Sequence, residues 1–123
     1  MIDFQSASAR AKDQLTGFPP DLIEGYLSYS RTGEYTHLDT LILGMLEFYL
    51  SIPPSQHLSQ MPGSTRLIQD LGCDSLAMVE TLFMVESLFD IRLTDDEMSR
   101  ILTLDDLRQH LRSHIERTQA PAA

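Results

Sequence analysis

Apolar residues recur along this chain at helical spacing, and no run alternates apolar and polar positions long enough to predict a strand. Pro19-Pro20, Gly33, Pro53-Pro54, Pro62-Gly63 and Gly72 punctuate the pattern. Residues 20 to 30 form the first candidate helix. Pro20 suits a first helical position, Leu22, Ile23, Tyr26 and Leu27 fall on one face, and Gly33 ends it. Residues 37 to 51 form the next, with Thr36 as N-cap and Asp39 three residues on. Leu38, Leu41, Ile42, Met45, Leu46 and Tyr49 give it a wide apolar surface, and Leu43, Phe48 and Leu50 widen it further. Its only charged residues are Asp39 and Glu47, so the pattern predicts cover on more than one side.

Residues 52 to 73 read as a long loop held to the core by Leu67, Ile68 and Leu71. A helix follows from about 75 to 89. Thr94-Asp95-Asp96-Glu97 is a capping-box pattern, and it opens a short helix ending near Ile101. Thr103 caps a last helix with Leu104, Leu107, Leu111 and Ile115 at helical spacing, and the tail from about 117 is expected to fray. The expected class is all-α.

The helix from 75 carries two apolar stripes when its residues are placed about 100° apart. Met78, Leu82, Val85 and Phe89 cluster on one side and suit a core. Leu76, Val79 and Phe83 form a separate stripe bordered by Glu80, Glu86 and Ser87. An apolar stripe fenced by carboxylates on a surface helix has the make-up of a docking face.

The stretch LGCDSLAM opens that helix, and Ser75 within it has three competing roles. As a hydrolase nucleophile it needs an activating base and an oxyanion hole. None of His37, His57, His110 and His114 stands in a catalytic motif, and the order Gly-Cys-Asp-Ser has one residue too many for a GDSL hydrolase. As a cap, either Asp74 or Ser75 serves, but capping leaves the second stripe unexplained. The third role is an attachment point.

Composition narrows the partners. The formal charge is −9, from eighteen acids against nine bases, which opposes a nucleic-acid ligand and favours partners with basic patches. Lys12 is the only lysine. The single cysteine, Cys73, excludes an internal disulfide and a thiolate metal cluster. Six methionines favour adaptable packing surfaces. His110 and His114 lie one turn apart without an evident third ligand, so no metal site is expected. The segment MIDFQSASARAKD lacks the apolar core of a signal peptide, and no stretch has the length of a membrane span. The expectation is a cytoplasmic monomer.

Residues 67 to 116, from LIQDLGCDSLAMVE to RQHLRSHIE, resemble an acyl carrier protein without a gap. The markers are the LGxDSL loop, Val79-Glu80, the E-x-x-F-D of Glu86 to Asp90, TDDE at 94 to 97, and the T-L-D-D-L that opens the last helix. The resemblance implies a four-helix bundle with a short third helix, here with an extra N-terminal helix. The implied organisation is an extension over 1–36, a carrier domain over 37–116 and a flexible tail over 117–123.

The resemblance also implies a function. Ser75 would carry 4′-phosphopantetheine, attached by a separate phosphopantetheinyl transferase with Asp74 as the acidic neighbour. The thiol of that arm would hold an acyl group as a thioester, and the protein would do no catalysis itself. Asp74, Leu76, Val79, Glu80, Phe83 and Glu86 would meet acyl-loading, condensing or modifying enzymes of fatty-acid, polyketide or related specialised lipid biosynthesis. Met78, Leu82, Val85, Leu93, Met98 and Ile101 would line an acyl pocket. Met98 stands where the family often has a small residue, so it would shorten that pocket or act as a mobile plug. The alternatives are an aminoacyl or peptidyl carrier, and an interaction module that keeps the fold without cycling cargo.

Three departures from a minimal carrier point to the N-terminal 36 residues or so. These are the extension itself, the very apolar helix at 37–51, and an apolar pair, Met84 and Leu88, on a face of the following helix. An extension packed as a helix would cover the helix at 37–51. The Met84–Leu88 stripe would be covered with it or left for a partner. Cys73, close to carboxylates, is expected to be an unreactive loop cysteine.

Overall fold

The computed structural model describes residues 4–119. Among them the regular elements are helical: α1 (Phe4–Gln14), α2 (Pro20–Thr32), α3 (Tyr35–Tyr49), α4 (Ser75–Phe89), α5 (Asp95–Ser99) and α6 (Leu104–Gln119), with one 3₁₀ turn at Leu58–Gln60.

The local signals set most of these bounds. Pro20 opens α2, and Gly33 closes it at φ 73° with its N–H on the carbonyl of Tyr29. Only Gly33 and Glu34 separate α2 from α3. That short connection moves the start of α3 forward, so Glu34 is its N-cap and Thr36 lies inside the helix. Thr94 and Glu97 close the capping box of α5 from both sides. The Thr103 hydroxyl accepts the amide of Asp106, whose carboxylate returns to the amides of Leu102 and Thr103. Helix α6 continues through Gln119 rather than fraying at 117, and residues 120–123 of the expected tail lie outside the described residues.

Helix α3 is the centre of the bundle, packing on α2, α4 and α6. Its residues Leu38, Leu41, Ile42, Leu43, Met45 and Leu46 are all buried, as an apolar surface that wide requires. The α2–α3 approach is close: a Cβ on Gly44 would fall 2.1 Å from Cδ2 of Leu22. Arg112 of α6 makes a two-point ion pair with Asp39 of α3, with Nε donating to Oδ1 at 3.1 Å. It also covers the Tyr35 ring at 4.9 Å from the centroid.

The extension supplies two helices rather than one. Helix α1 packs on α2 and against α4, burying Ala7, Ala11 and, just past its end, Leu15. Its stripe consists of small residues, which a search for large apolar periodicity passes over. Leu88 is fully buried and Met84 half-buried, so the apolar pair on the back of α4 is part of the core.

The segment between α3 and α4 folds back onto the α5–α6 junction. Leu67 N–H donates to the Leu102 carbonyl at 3.0 Å, Leu104 N–H to Thr65 at 3.1 Å and Asp105 N–H to Gly63 at 2.9 Å. Arg66 and Thr103 form an isolated antiparallel bridge. Leu67 is buried and Leu71 half-buried, but Ile68 points outward and does not anchor the loop. Leu67 and Ile68 open a turn, closed by Gly72 N–H on the Ile68 carbonyl and Cys73 N–H on the Leu67 carbonyl, that leaves Leu67 inward and Ile68 outward.

Candidate functional site

The start of α4 settles which of two adjacent residues caps it. Asp74 Oδ1 accepts the amide of Ala77 at 2.8 Å. Ser75 is thereby the first helical residue, exposed, with its hydroxyl beyond the cap. Free amides and the helix dipole at such a terminus favour an anion.

Leu76, Val79 and Phe83 are 64%, 57% and 65% exposed and line one side of α4. The opposite side is closed by Ala77, Thr81, Leu82, Val85, Leu88 and Phe89. Asp74 and Glu80 are exposed beside the stripe. Glu86 is half-buried, and its Oε2 accepts the amide of Leu93 at 2.8 Å, so this carboxylate also pins the segment after α4.

A cavity of about 560 Å³ opens beside Ser75, between the end of the loop and the α5–α6 linker. Met78, Met98 and Ile101 contribute apolar walls, with Cys73 and Leu67 behind them. Cys73 is buried, and its Sγ lies 3.5 Å from the carbonyl of Asp74. Burial pushes the thiol pKa up, and the neighbouring Asp74 charge adds to it.

His57 and His114 each pair with a glutamate. His114 Nε2 meets Glu97 Oε2 at 3.2 Å, joining α6 to α5, and His57 Nδ1 meets Glu47 Oε1 at 3.2 Å. Among the described residues no three His, Cys, Asp or Glu side chains converge as metal ligands, and no helix is long and apolar enough to cross a membrane.

Curated relatives match part of this chain. An acyl carrier protein of Desulforapulum autotrophicum is 41% identical over 46 residues, 37% of this chain and 60% of that protein. An acyl carrier protein of Karelsulcia muelleri is 37% identical over 49 residues, 40% of this chain and 59% of that protein. One of Clostridium acetobutylicum is 37% identical over 49 residues, 40% of this chain and 64% of that protein. The chain carries an acyl-carrier-protein-like region. It spans roughly three-fifths of the length of these relatives. No family model and no solved structure matches.

Around this acyl-carrier-like region the structure gathers Asp74, Ser75, Leu76, Val79, Glu80 and Phe83 on one exposed edge of α4. Of the six residues expected to line an acyl pocket, Met78, Met98 and Ile101 face the cavity. Leu82, Val85 and Leu93 do not; they are 1%, 0% and 4% exposed and lie within the packed core. Two exposed apolar residues at the cavity were not read as part of it in the sequence. Leu102 is exposed there, and Ile68 had been read as a core anchor.

Proposed function

We propose that this protein carries acyl groups as thioesters on a 4′-phosphopantetheine arm attached to the Oγ of Ser75. The observation that carries this reading is the division of labour at the start of α4. Asp74 caps the helix, so the Ser75 hydroxyl is not spent on capping and stands exposed at a terminus that favours a phosphate. In this reading Oγ gives up its proton as its bond to phosphorus forms, while the phosphoanhydride bond of the transferase's pantetheine-nucleotide donor breaks and the nucleotide leaves. The arm supplies a thiol that holds the acyl group. The chain itself presents the cargo and catalyses nothing.

Leu76, Val79 and Phe83 supply the apolar contact with partner enzymes, and Asp74, Glu80 and Glu86 supply charge for basic patches around it. Rim charges of this kind raise association rates and select partners. The partners are a phosphopantetheinyl transferase and acyl-loading, condensing or modifying enzymes of fatty-acid, polyketide or related lipid biosynthesis, in a cytoplasmic setting. The carrier unit is residues 37–116, with the preceding helices α1 and α2 as its cover.

Co-expression with a broad-specificity phosphopantetheinyl transferase, followed by intact-mass measurement, tests the reading. The expected result is a gain of one phosphopantetheine that disappears in Ser75→Ala. No gain, or a gain that survives the substitution, overturns it.

A further inference from the structure

We infer that the N-terminal extension and α3 together build a second recognition site, separate from the α4 stripe, that takes an arginine side chain presented by a partner protein. The site stands on its own residues and holds whether or not Ser75 is modified. It is a cavity of about 270 Å³ between the start of α2, the second half of α3 and the 3₁₀ turn at Leu58–Gln60.

The extension is what makes it. Pro19 and Pro20 set the entry to α2, and Leu22 packs so closely on Gly44 that a Cβ there would clash. That approach brings Asp21, in the first turn of α2, to the same lining as Glu47 and Phe48 of α3. Phe18, in the α1–α2 connection, closes on Phe48 with ring centroids 4.7 Å apart and meets Tyr49 edge-on at 5.9 Å. Phe48 is nonetheless 50% exposed. A ring braced by a second ring and still half in water is a contact surface that needs little further ordering on binding.

The chemistry of the lining selects the occupant. Leu43, Gly44 and Phe48 give it an apolar wall, Asp21 and Glu47 bring two carboxylates, and no lysine or arginine lines it. Glu47 meets Nδ1 of His57 at 3.2 Å, and its two oxygens have room for further donors. A cation on an apolar stem matches this set. A guanidinium donates in several directions within one plane and lies well against an aromatic ring, whereas an ammonium is a strongly hydrated point charge. The volume falls just below the roughly 300–1,000 Å³ range of small-molecule sites, so one side chain suits it better than a free ligand. A second copy does not suit it, because symmetric pairing through this patch sets the Asp21 and Glu47 charges of one copy against those of the other.

The site also has a neighbour. Burial, then the Glu80 charge, raises the pKa of the Tyr49 phenol, which puts Glu80 of α4 beside the aromatic cluster. A partner resting on Val79 and Phe83 is thus within reach of the cavity. A carrier bundle without α1 and α2 lacks Phe18 and Asp21, so this contact distinguishes partners dedicated to this chain.

The test titrates the isotope-labelled full chain with the blocked tripeptide acetyl-Ala-Arg-Ala-amide and with its citrulline counterpart, which keeps the shape and loses the charge. Amide shifts at Asp21, Gly44, Glu47 and Phe48 are expected with the arginine peptide in the millimolar range. They should be at least several-fold weaker with citrulline and should vanish in D21N/E47Q, whose fold is checked by circular dichroism. Equal shifts with the two peptides, no shifts, or shifts as strong at the acids of α4 and α5 overturn the site, and the citrulline comparison needs no substitution. Photo-crosslinking from a benzoylphenylalanine placed at Ser59, exposed on the lining, then reads the occupant in the native cell. The expected product joins an arginine-containing segment of another protein and is lost in D21N/E47Q. A crosslink to a second copy of this chain, a segment without arginine, or no product overturns the partner assignment.

Discussion

Arg10 Nη1 donates to the carbonyl oxygen of Leu88 at 2.8 Å, tying the first helix of the extension to the last turn of the helix that bears Ser75. A second, longer contact reaches the carbonyl of Ser87 at 3.5 Å, and the Ser87 hydroxyl donates to Oε1 of Gln14 at 2.8 Å. Carbonyls at a helix C-terminus lack intrahelical partners, so a guanidinium there satisfies them and opposes the dipole. Arg10→Met keeps the stem and removes the donor. It is expected to destabilise the protein by about 1–2 kcal/mol, read as a lower denaturant midpoint at unchanged slope. An unchanged midpoint would mean that the tie contributes nothing to folding.

Removal of residues 1–33 tests the extension as a whole. It takes away the buried Leu15, Leu22 and Tyr26 and uncovers α3 where Gly44 meets Leu22. Burial of a large apolar side chain contributes about 1.5–3 kcal/mol, so the expected loss exceeds about 4 kcal/mol, comparable with the stability of a small domain. The measurement is thermal unfolding by circular dichroism alongside gel filtration. A monomeric truncation with the full-length melting temperature would refute the packing role.

What the sequence made legible follows the kind of signal each element carries. Helices with large apolar stripes and strong punctuation, such as α3 with its run from Leu38 to Leu46, stand out from periodicity alone. Helix α1 does not, because its buried stripe is Ala7 and Ala11, whose role is close approach rather than bulk. The start of α3 was displaced by the two-residue connection at Gly33–Glu34, since a tight link sets the boundary before Thr36 can cap. Ser75 and its exposed stripe were readable from spacing on one helix. The cavity wall was not, because Ile68 and Leu102 are brought together by a backbone bridge between segments far apart in the chain.

Cys73 lies two residues before Ser75 but is expected to be inert. Burial, then the Asp74 charge, raises its pKa, so the neutral thiol dominates at physiological pH and the reactive thiolate is scarce. Iodoacetamide at pH 8 should label the native protein far more slowly than the protein in denaturant. Equal labelling rates in the two states would refute the burial of this thiol.

Acid should weaken the α5–α6 region first through Glu97. Its carboxyl is held below the ordinary value of 4.5, chiefly by the Thr94 amide and then by His114 and Arg117. A lowered folded-state pKa means the contribution is whole above that ordinary value and is lost as pH falls through the folded one. Asp70, lowered by the Arg66 side chain and amide, acts in the same direction below 3.8. Stability should therefore hold steady down to about pH 5 and then fall. Glu97→Gln keeps an acceptor for the Thr94 amide and loses the charge, so its acid limb should be shallower. An acid limb identical to that of the parent protein would exclude Glu97 as a contributor.

The exposed stripe on α4 separates recognition from stability. Leu76, Val79 and Phe83 are well over half exposed, so substitutions there should change folding stability by less than about 0.5 kcal/mol. If the stripe is the contact for the transferase, Phe83→Ala removes an aromatic anchor and should lower kcat/KM for modification roughly tenfold. Glu80→Gln acts on charge alone. Its effect should be smaller and should shrink as salt is raised, because surface pairs are screened within about 10 Å at 0.1 M ionic strength. The measurement is a time course of phosphopantetheine incorporation at low and high salt, with melting temperatures recorded for each variant. Loss of rate at unchanged melting temperature assigns the stripe to partner contact. Equal rates for Phe83→Ala and the parent protein would place the docking surface elsewhere on the molecule.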